Sequence, residues 1–272
     1  MKDVFIVSAV RTPVGKRNGY LREWSAPELL GSVLDEVVKR VDVDPALVED
    51  VINGTVYQVG EQGFTLSRMA VFASSLPNTV PGTSVNRQCG SSLTALQLGY
   101  GMIASNTHDC VIASGCELMS KYPIGSDQNG TLPDGRPQGN SFGEFYIKRV
   151  EGKLYNQGQA AEAIANQWGI TREDCEAFAV SSHLKANDAT KAGYFKNEIL
   201  PTKGLDKEGN EILVDVDEPI RPDTSGEKLA ELQPALGTEM ITAGVSSPVT
   251  DGASAILMMS GEKVKELNPN IA

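Results

Sequence analysis

A chain of 272 residues, 40% hydrophobic and 22% charged, is long enough for about two domains with a sizeable core and too apolar to remain disordered. Its net charge of -11 argues against a nucleic acid partner, which needs clustered Lys and Arg, but leaves room for a small phosphorylated ligand held by a few local cations. Four cysteines with no CxxC pair, beside only His108 and His183, argue against a Cys/His metal site and fit a reducing, cytoplasmic compartment.

The first element, Val4 to Val10, reads as a buried strand ended by Pro13 and Gly15. It is too short for a signal-peptide core, and no later run reaches membrane-spanning length. Ser25-Ala26-Pro27-Glu28 is a capping box with proline in the first turn. It predicts a helix whose apolar face is Leu29, Leu30, Val33, Leu34, Val37 and Val38. After a break at Asp42 to Pro45, Val51 to Val56 reads as a strand. Leu66, Met69, Ala70 and Ala73 then mark a helix that stops before Pro77.

Next comes Ser84 to Leu93, which places Cys89 between an extended run and a helix opening on Gly90, Ser91 and Ser92. The helix is predicted from Leu93, Leu96, Tyr100 and Ile103, spaced three and four apart, with Ser91 or Ser92 as N-cap. A thiol at a helix start faces the positive end of the dipole, which favours the nucleophilic thiolate. Gly90 permits a tight turn that leaves backbone N–H groups free to donate to an oxyanion. The bland alternative is that Cys89 is a small buried hydrophobe, as many cysteines are. Asp109 to Gly115 reads as a buried parallel strand, completing one βαβ unit.

Beyond Ser120 the chain turns glycine- and proline-rich as far as Gly152, which predicts a loop-rich functional or assembly segment. Thr171 to Asp174 caps a helix with an expected inward face of Cys175, Phe178, Ala179, Ser182 and Ala186, ending near Gly193; His183 reads as an ordinary helical histidine. Asp215 to Lys228 is polar and reads first as a solvated face. Val245 to Ala253 is a small-residue turn before the apolar strand Ser254 to Met259, and Gly261 to Leu267 is a closing helix. Strands alternating with helices predict an α/β fold with a mixed, mostly parallel sheet and ligands near the strands' carboxyl ends.

Val85-Asn86-Arg87-Gln88-Cys89-Gly90-Ser91-Ser92 resembles the nucleophile segment of the thiolases, the acetyl-CoA acetyltransferase and 3-ketoacyl-CoA thiolase family. The resemblance extends to Val10 to Lys16, Ala113 to Ser120, Gly169 to Pro201, Asp217 to Arg221, Leu229 to Pro234 and Asp251-Gly252-Ala253. It implies a thiolase N-terminal βαβ core at 1–120 plus 249–272, with an inserted CoA-binding loop domain at 121–248 and the second core domain absent. It also implies that Cys89 takes an acyl group from acyl-CoA, with its own N–H in the oxyanion hole. Arg221, Lys228 and Ser247 map onto the coenzyme A contacts, and coenzyme A enters as substrate, with no separate cofactor and no metal.

The chain departs from the family in three places. Asn156-Gln157-Gly158 stands where short-chain members have His-Met-Gly, and Pro248 and Thr250 replace the usual Gly and Asn of the later turn. The chain also ends, at Asn268 to Ala272, before the second half that carries the activating histidine and the second cysteine. The resemblance therefore implies the N-terminal half of a thiolase, active only with a C-terminal half that is supplied by another chain or lost by truncation, and prone to associate with a complementary chain or with itself. The alternative from another class is a non-catalytic CoA-binding or assembly subunit. A ketoacyl-ACP synthase fits less well, because the Ala113 to Ser120 and Gly169 to Pro201 stretches look like thiolase.

Overall fold

The computed structural model describes residues 1–128, 130–139 and 141–267, so the terminal stretch Asn268 to Ala272 lies outside it. The chain opens with β1 (Val4–Arg11), β2 (Gly15–Lys16), α1 (Ala26–Lys39), β3 (Asp50–Gly54), α2 (Leu66–Phe72), β4 (Gly82–Val85), α3 (Ser91–Ala104) and β5 (Cys110–Leu118). There follow α4 (Glu144–Arg149), α5 (Gln157–Trp168), α6 (Arg172–Lys191), β6 (Thr202–Leu205), β7 (Glu211–Val214), α7 (Gly226–Ala230), β8 (Thr250–Ser260) and α8 (Gly261–Leu267). They form two compact units. The first contains residues 1–127, 196–218 and 249 onward; the second contains 128–195 and 219–248. None of the described helices is long and apolar enough to cross a membrane.

The first unit is built on a sheet in the order β1-β8-β5-β3-β4, with β2 also paired to β8. β3 runs parallel to both β4 and β5, and β8 runs antiparallel to β1 and β5. Five strands therefore share one direction and β8 alone opposes them, so the sheet is mixed as expected, but three of its five pairings are antiparallel. β5, flanked on both sides, is buried along its length apart from Glu117. α1 buries all six residues of its predicted face, and its Ser25 cap accepts from the Glu28 N–H. At roughly 1.5–3 kcal/mol per buried aliphatic side chain, that stripe is enough to dock the helix.

Two elements differ from expectation. β1 is an edge strand with a bulge between Ile6 and Ser8; Phe5 and Ile6 are exposed, while Val7 and Val10 are buried. In α3 the apolar stripe is split: Leu93 is 59% and Tyr100 53% exposed, while Leu96 is half-buried and Ile103 buried. The helix packs instead through Ala95, Gly99 and Ile103. The reason is proximity. A Cβ on Gly99 would meet Met258 of β8 and Val111 of β5, so only a small-residue face lets the helix axis come this close to the sheet.

Residues 196–218, grouped from sequence with the inserted segment, pack within the first unit. The β6–β7 hairpin, unmarked in the sequence reading, receives the Trp24 indole N–H on the Lys203 carbonyl at 2.6 Å. The Arg11 guanidinium donates to both carboxylate oxygens of Asp217, at 2.7 and 2.9 Å, and to Glu198 at 2.7 Å. Asp217 also accepts the Val14 N–H at 2.8 Å. These bonds carry the returning chain onto the segment after β1.

In the second unit the glycine-rich stretch is loop apart from α4, and α5, which the sequence reading did not mark, opens on a reciprocal capping box of Asn156 and Gln159. The inward side of α6 differs from the predicted one: Phe178 is 76% exposed, Ser182 is exposed, and Cys175 is half-buried. The buried residue is Glu176, paired with Arg172 at 2.6 Å, while Arg172 also donates to the carbonyls of Leu229, Ala230 and Leu232 at the end of α7. A guanidinium closing a helix C-terminus, rather than an apolar stripe, orients α6.

Because Asp217 is mostly buried, removing its partner leaves a poorly solvated carboxylate. Arg11→Ala is expected to lower stability by about 2 kcal/mol in urea unfolding, and Arg11→Lys by about 1, since lysine cannot supply the two-pronged contact. Equal stability of all three proteins would show that this tether contributes nothing.

Candidate active site

β3 ends on Gly54, which lies opposite Gly115 within β5. A Cβ on Gly54 would collide with the backbone of Ser91 and Ser92, and one on Gly115 with the Ser92 side chain. The first turn of α3 thus sits directly on these two paired glycines, in a space that only glycine leaves open.

That seating fixes the turn between β4 and α3. Asn86 donates from Nδ2 to the Val56 carbonyl at 2.8 Å and accepts the Gln88 N–H on Oδ1 at 2.9 Å. Ser91 accepts the Arg87 N–H at 2.9 Å and donates its hydroxyl to the Gln88 carbonyl at 2.6 Å. Gln88 is held at φ 50°, a left-handed conformation that a side chain adopts only under constraint. Gly90 is the helix N-cap, and Thr94 donates through both its N–H and its hydroxyl to the Gly90 carbonyl. Neither Ser91 nor Ser92 is the N-cap predicted; Ser91 instead ties the turn to itself.

Cys89 stands at the crest of this turn and is exposed, which removes the buried-hydrophobe alternative. The contrast with the two cysteines of β5 is chemical. Burial, with Glu49 adding, pushes the Cys110 thiol up to about 12, and burial pushes the Cys116 thiol up as well. Only a thiolate attacks an electrophile readily, so these two are inert where Cys89 is accessible. The Gly90 and Ser91 N–H groups donate to the carbonyls of Arg87 and Gln88 at 3.1 and 3.0 Å, closing the turn that carries the thiol.

The wall beside the turn is held by polar groups the sequence reading passed over. Glu117 accepts the Val56 N–H at 2.7 Å, the Tyr57 N–H at 3.3 Å and the Gln62 amide at 2.7 Å. Gln62, fully buried, accepts the Leu118 N–H at 2.6 Å. On the neighbouring strand Asp251 accepts both the N–H and the hydroxyl of Ser120. The Ala113 to Ser120 and Asp251 to Ala253 stretches thus face each other across β5 and β8.

Arg221, Lys228 and Ser247 all lie in the second unit and all are exposed. Lys228 donates to the Asp223 carboxylate and the Asp223 carbonyl, each at 2.7 Å. The Arg221 N–H donates to Nδ1 of His183 at 3.2 Å, so the histidine read as ordinary anchors the segment that carries Arg221. Asn156 is committed to capping α5 and to the Leu236 carbonyl, 2.9 Å away. A groove of about 770 Å³ between α6 and α7 is apolar at Ala177, Val180, Leu184 and Ala230, but Glu173, Glu176, Asp188 and Glu227 line it too. Lys185 lines it as well, and Glu176 is already paired with Arg172. Among the described residues no group of His, Cys, Asp and Glu could hold a metal ion.

The Thiolase, N-terminal domain family model matches residues 4–262. The 3-ketoacyl-CoA thiolase of Marinomonas sp. (strain MWYL1) is 41% identical over 271 residues, 97% of this chain and 66% of its own length. Among solved structures, the Bacillus anthracis acetyl-CoA acetyltransferase superposes with a TM-score of 0.85 at 32% identity, covering 100% of this chain and 68% of that one. Human mitochondrial 3-ketoacyl-CoA thiolase in complex with CoA gives a TM-score of 0.84 at 28% identity, over 99% and 68%. The chain spans about two thirds of the length of each of these proteins.

Iodoacetamide near neutral pH is expected to modify Cys89 first and half-buried Cys175 more slowly, as read by peptide mass mapping. Cys110 and Cys116 should react only after unfolding, because a thiol near 12 is thiolate in about one molecule in ten thousand at pH 8. Labelling of Cys110 in the folded protein at the rate of Cys89 would contradict this account.

Proposed function

The chain belongs to the thiolase family, and on that premise we propose that Cys89 is the nucleophile of an acyl-CoA acyltransferase half. The observation that carries the reading is the placement of an exposed thiol on a constrained turn at a helix start, with Gln88 held at φ 50°. The Cys89 thiolate adds to the thioester carbonyl of an acyl-CoA, acetyl-CoA being the simplest. The carbonyl oxygen becomes an oxyanion facing backbone N–H groups, and collapse expels the CoA thiolate, leaving the acyl group on Sγ. A CoA-bound carbanion attacking this thioester gives a 3-ketoacyl-CoA. Attack by CoA is the last step of the reverse, thiolytic direction.

Both directions require a base for the Cys89 proton and an acid for the leaving thiol. Neither histidine of the chain serves. His108 follows the far end of α3, about 20 Å along the helix from Cys89 at 1.5 Å per residue. His183 is engaged with the Arg221 N–H in the other unit. The proposed base therefore comes from a thiolase C-terminal half. The outward stripe of α3, where Leu93 and Tyr100 stand exposed just beyond the nucleophile, supports such a partner, since apolar surface of this kind marks an interaction face. Coenzyme A is held in the second unit by Arg221 and Lys228 at its phosphates and Ser247 at its pantetheine arm.

Incubation with acetyl-CoA followed by intact-mass measurement tests the first step. The chain is expected to gain one acetyl group in the presence of the complementary half, and Cys89→Ala to gain none. Acetylation that survives in Cys89→Ala would remove Cys89 from the chemistry. No acetylation under any condition would favour the non-catalytic CoA-binding subunit.

A further inference from the structure

We propose that Asp223 sets the affinity of the coenzyme A site: its carboxylate occupies Lys228 where a ligand phosphate would bind, so that binding requires the phosphate to displace or share it. The inference rests on the reading of Arg221 and Lys228 as phosphate contacts and adds a competitor built into the chain.

An ammonium has three donors and no directional fork. Lys228 directs Nζ at two oxygens of a single residue, the carboxylate and the carbonyl of Asp223, both at 2.7 Å. The backbone fixes this reach, since the Lys228 N–H donates to Ser225 Oγ at 3.3 Å and holds the two residues on one turn. The hydrogen bond and charge of Lys228, with Arg221 adding its own, hold the Asp223 carboxyl below the usual carboxylate range. It is therefore an anion at neutral pH, under the influence of both proposed phosphate ligands. The Arg221 guanidinium makes no hydrogen bond among the described residues, while its backbone is pinned by His183. A phosphate approaching the pair thus meets one cation available to it and one already neutralised.

Such a contact is weak enough to exchange. Asp223 and Lys228 side chains are 78% and 58% exposed, and exposed ion pairs are readily broken by a more highly charged competitor. A phosphate dianion wins Lys228 but gives back part of its gain in releasing Asp223. The consequence is a site poised for turnover, binding its ligand loosely enough to let it go.

Calorimetric titration of CoA into the full chain, Asp223→Asn, Lys228→Gln and the double variant decides the matter. Asp223→Asn is expected to tighten CoA binding by about two- to fivefold, the range of an exposed ion pair, with Lys228→Gln weakening it. In the Lys228→Gln background the Asp223→Asn change should have no effect, because there is no ammonium left to release. If Lys228→Gln weakens binding but Asp223→Asn leaves it unchanged or weaker, the competitor role is overturned while the phosphate reading stands. If Lys228→Gln binds as the unmodified chain does, or if none of the four proteins binds CoA, the phosphate reading fails and the inference with it.

Discussion

The candidate active site depends on one close approach, the first turn of α3 resting on the last residue of β3 and its partner within β5. Gly54 and Gly115 make it possible by having no Cβ, and Ser92 fills the space they leave. Once the helix start is seated there, the residues between β4 and α3 must turn in a short span. The left-handed Gln88 is the geometric result. Its strain is held in place by the Ser91 and Asn86 bonds, each a modest term of about 1 kcal/mol, acting on a turn with little other freedom. Cys89 is exposed because the turn has no room to bury it, and so accessibility and position share a cause.

The same approach explains why α3 is an unusual helix. A helix that must lie close to a sheet does so through Ala95 and Gly99, and Leu93, Leu98 and Tyr100 are left on its outer side. The outward apolar stripe therefore follows from the inward small one. Periodicity records that large apolar residues share a face, but it cannot say which face meets the core. In α1 the large face is inward, because nothing requires that helix to come so near the strands.

Much of the fold was legible because it is written in local signals. The Ser25 and Thr171 caps, the uninterrupted apolar run of β5 and the closing helix at Gly261–Leu267 are each set by short-range chemistry, and the structure keeps them. Illegible features are those set by distant partners. The return of residues 196–218 to the first unit depends on Arg11 meeting Asp217, 206 positions apart, and no pattern within either segment announces it. The orientation of α6 depends on Arg172 reaching carbonyls near Leu229. The β6–β7 hairpin and α5 left weak traces, a turn at Asp206 to Asn210 and the Asn156/Gln159 box, that a reading centred on apolar runs passes over. At the site, Cys89 was legible from its neighbours in sequence. The supporting Glu117 and Gln62 act through backbone groups scattered along the chain.

A net charge of -11 is compatible with an anionic ligand because charge acts locally. At physiological ionic strength the screening length is about 8 Å, so carboxylates scattered over the surface contribute little at any one point. What matters is whether cations at the site are already spent. Several arginines here are: Arg11 on Asp217 and Glu198, Arg40 on Glu36, Arg136 on Asp134, Arg172 on Glu176. These pairs serve tethers and helix ends, and their charge is cancelled where it stands. Arg221 differs in that its backbone is held by a neutral acceptor, Nδ1 of His183, so that it is positioned without being neutralised. Lys228 is positioned by a carboxylate and is neutralised in the process. Two cations seven residues apart in one unit are thus ordered by opposite means, a difference that the total charge of the chain does not register.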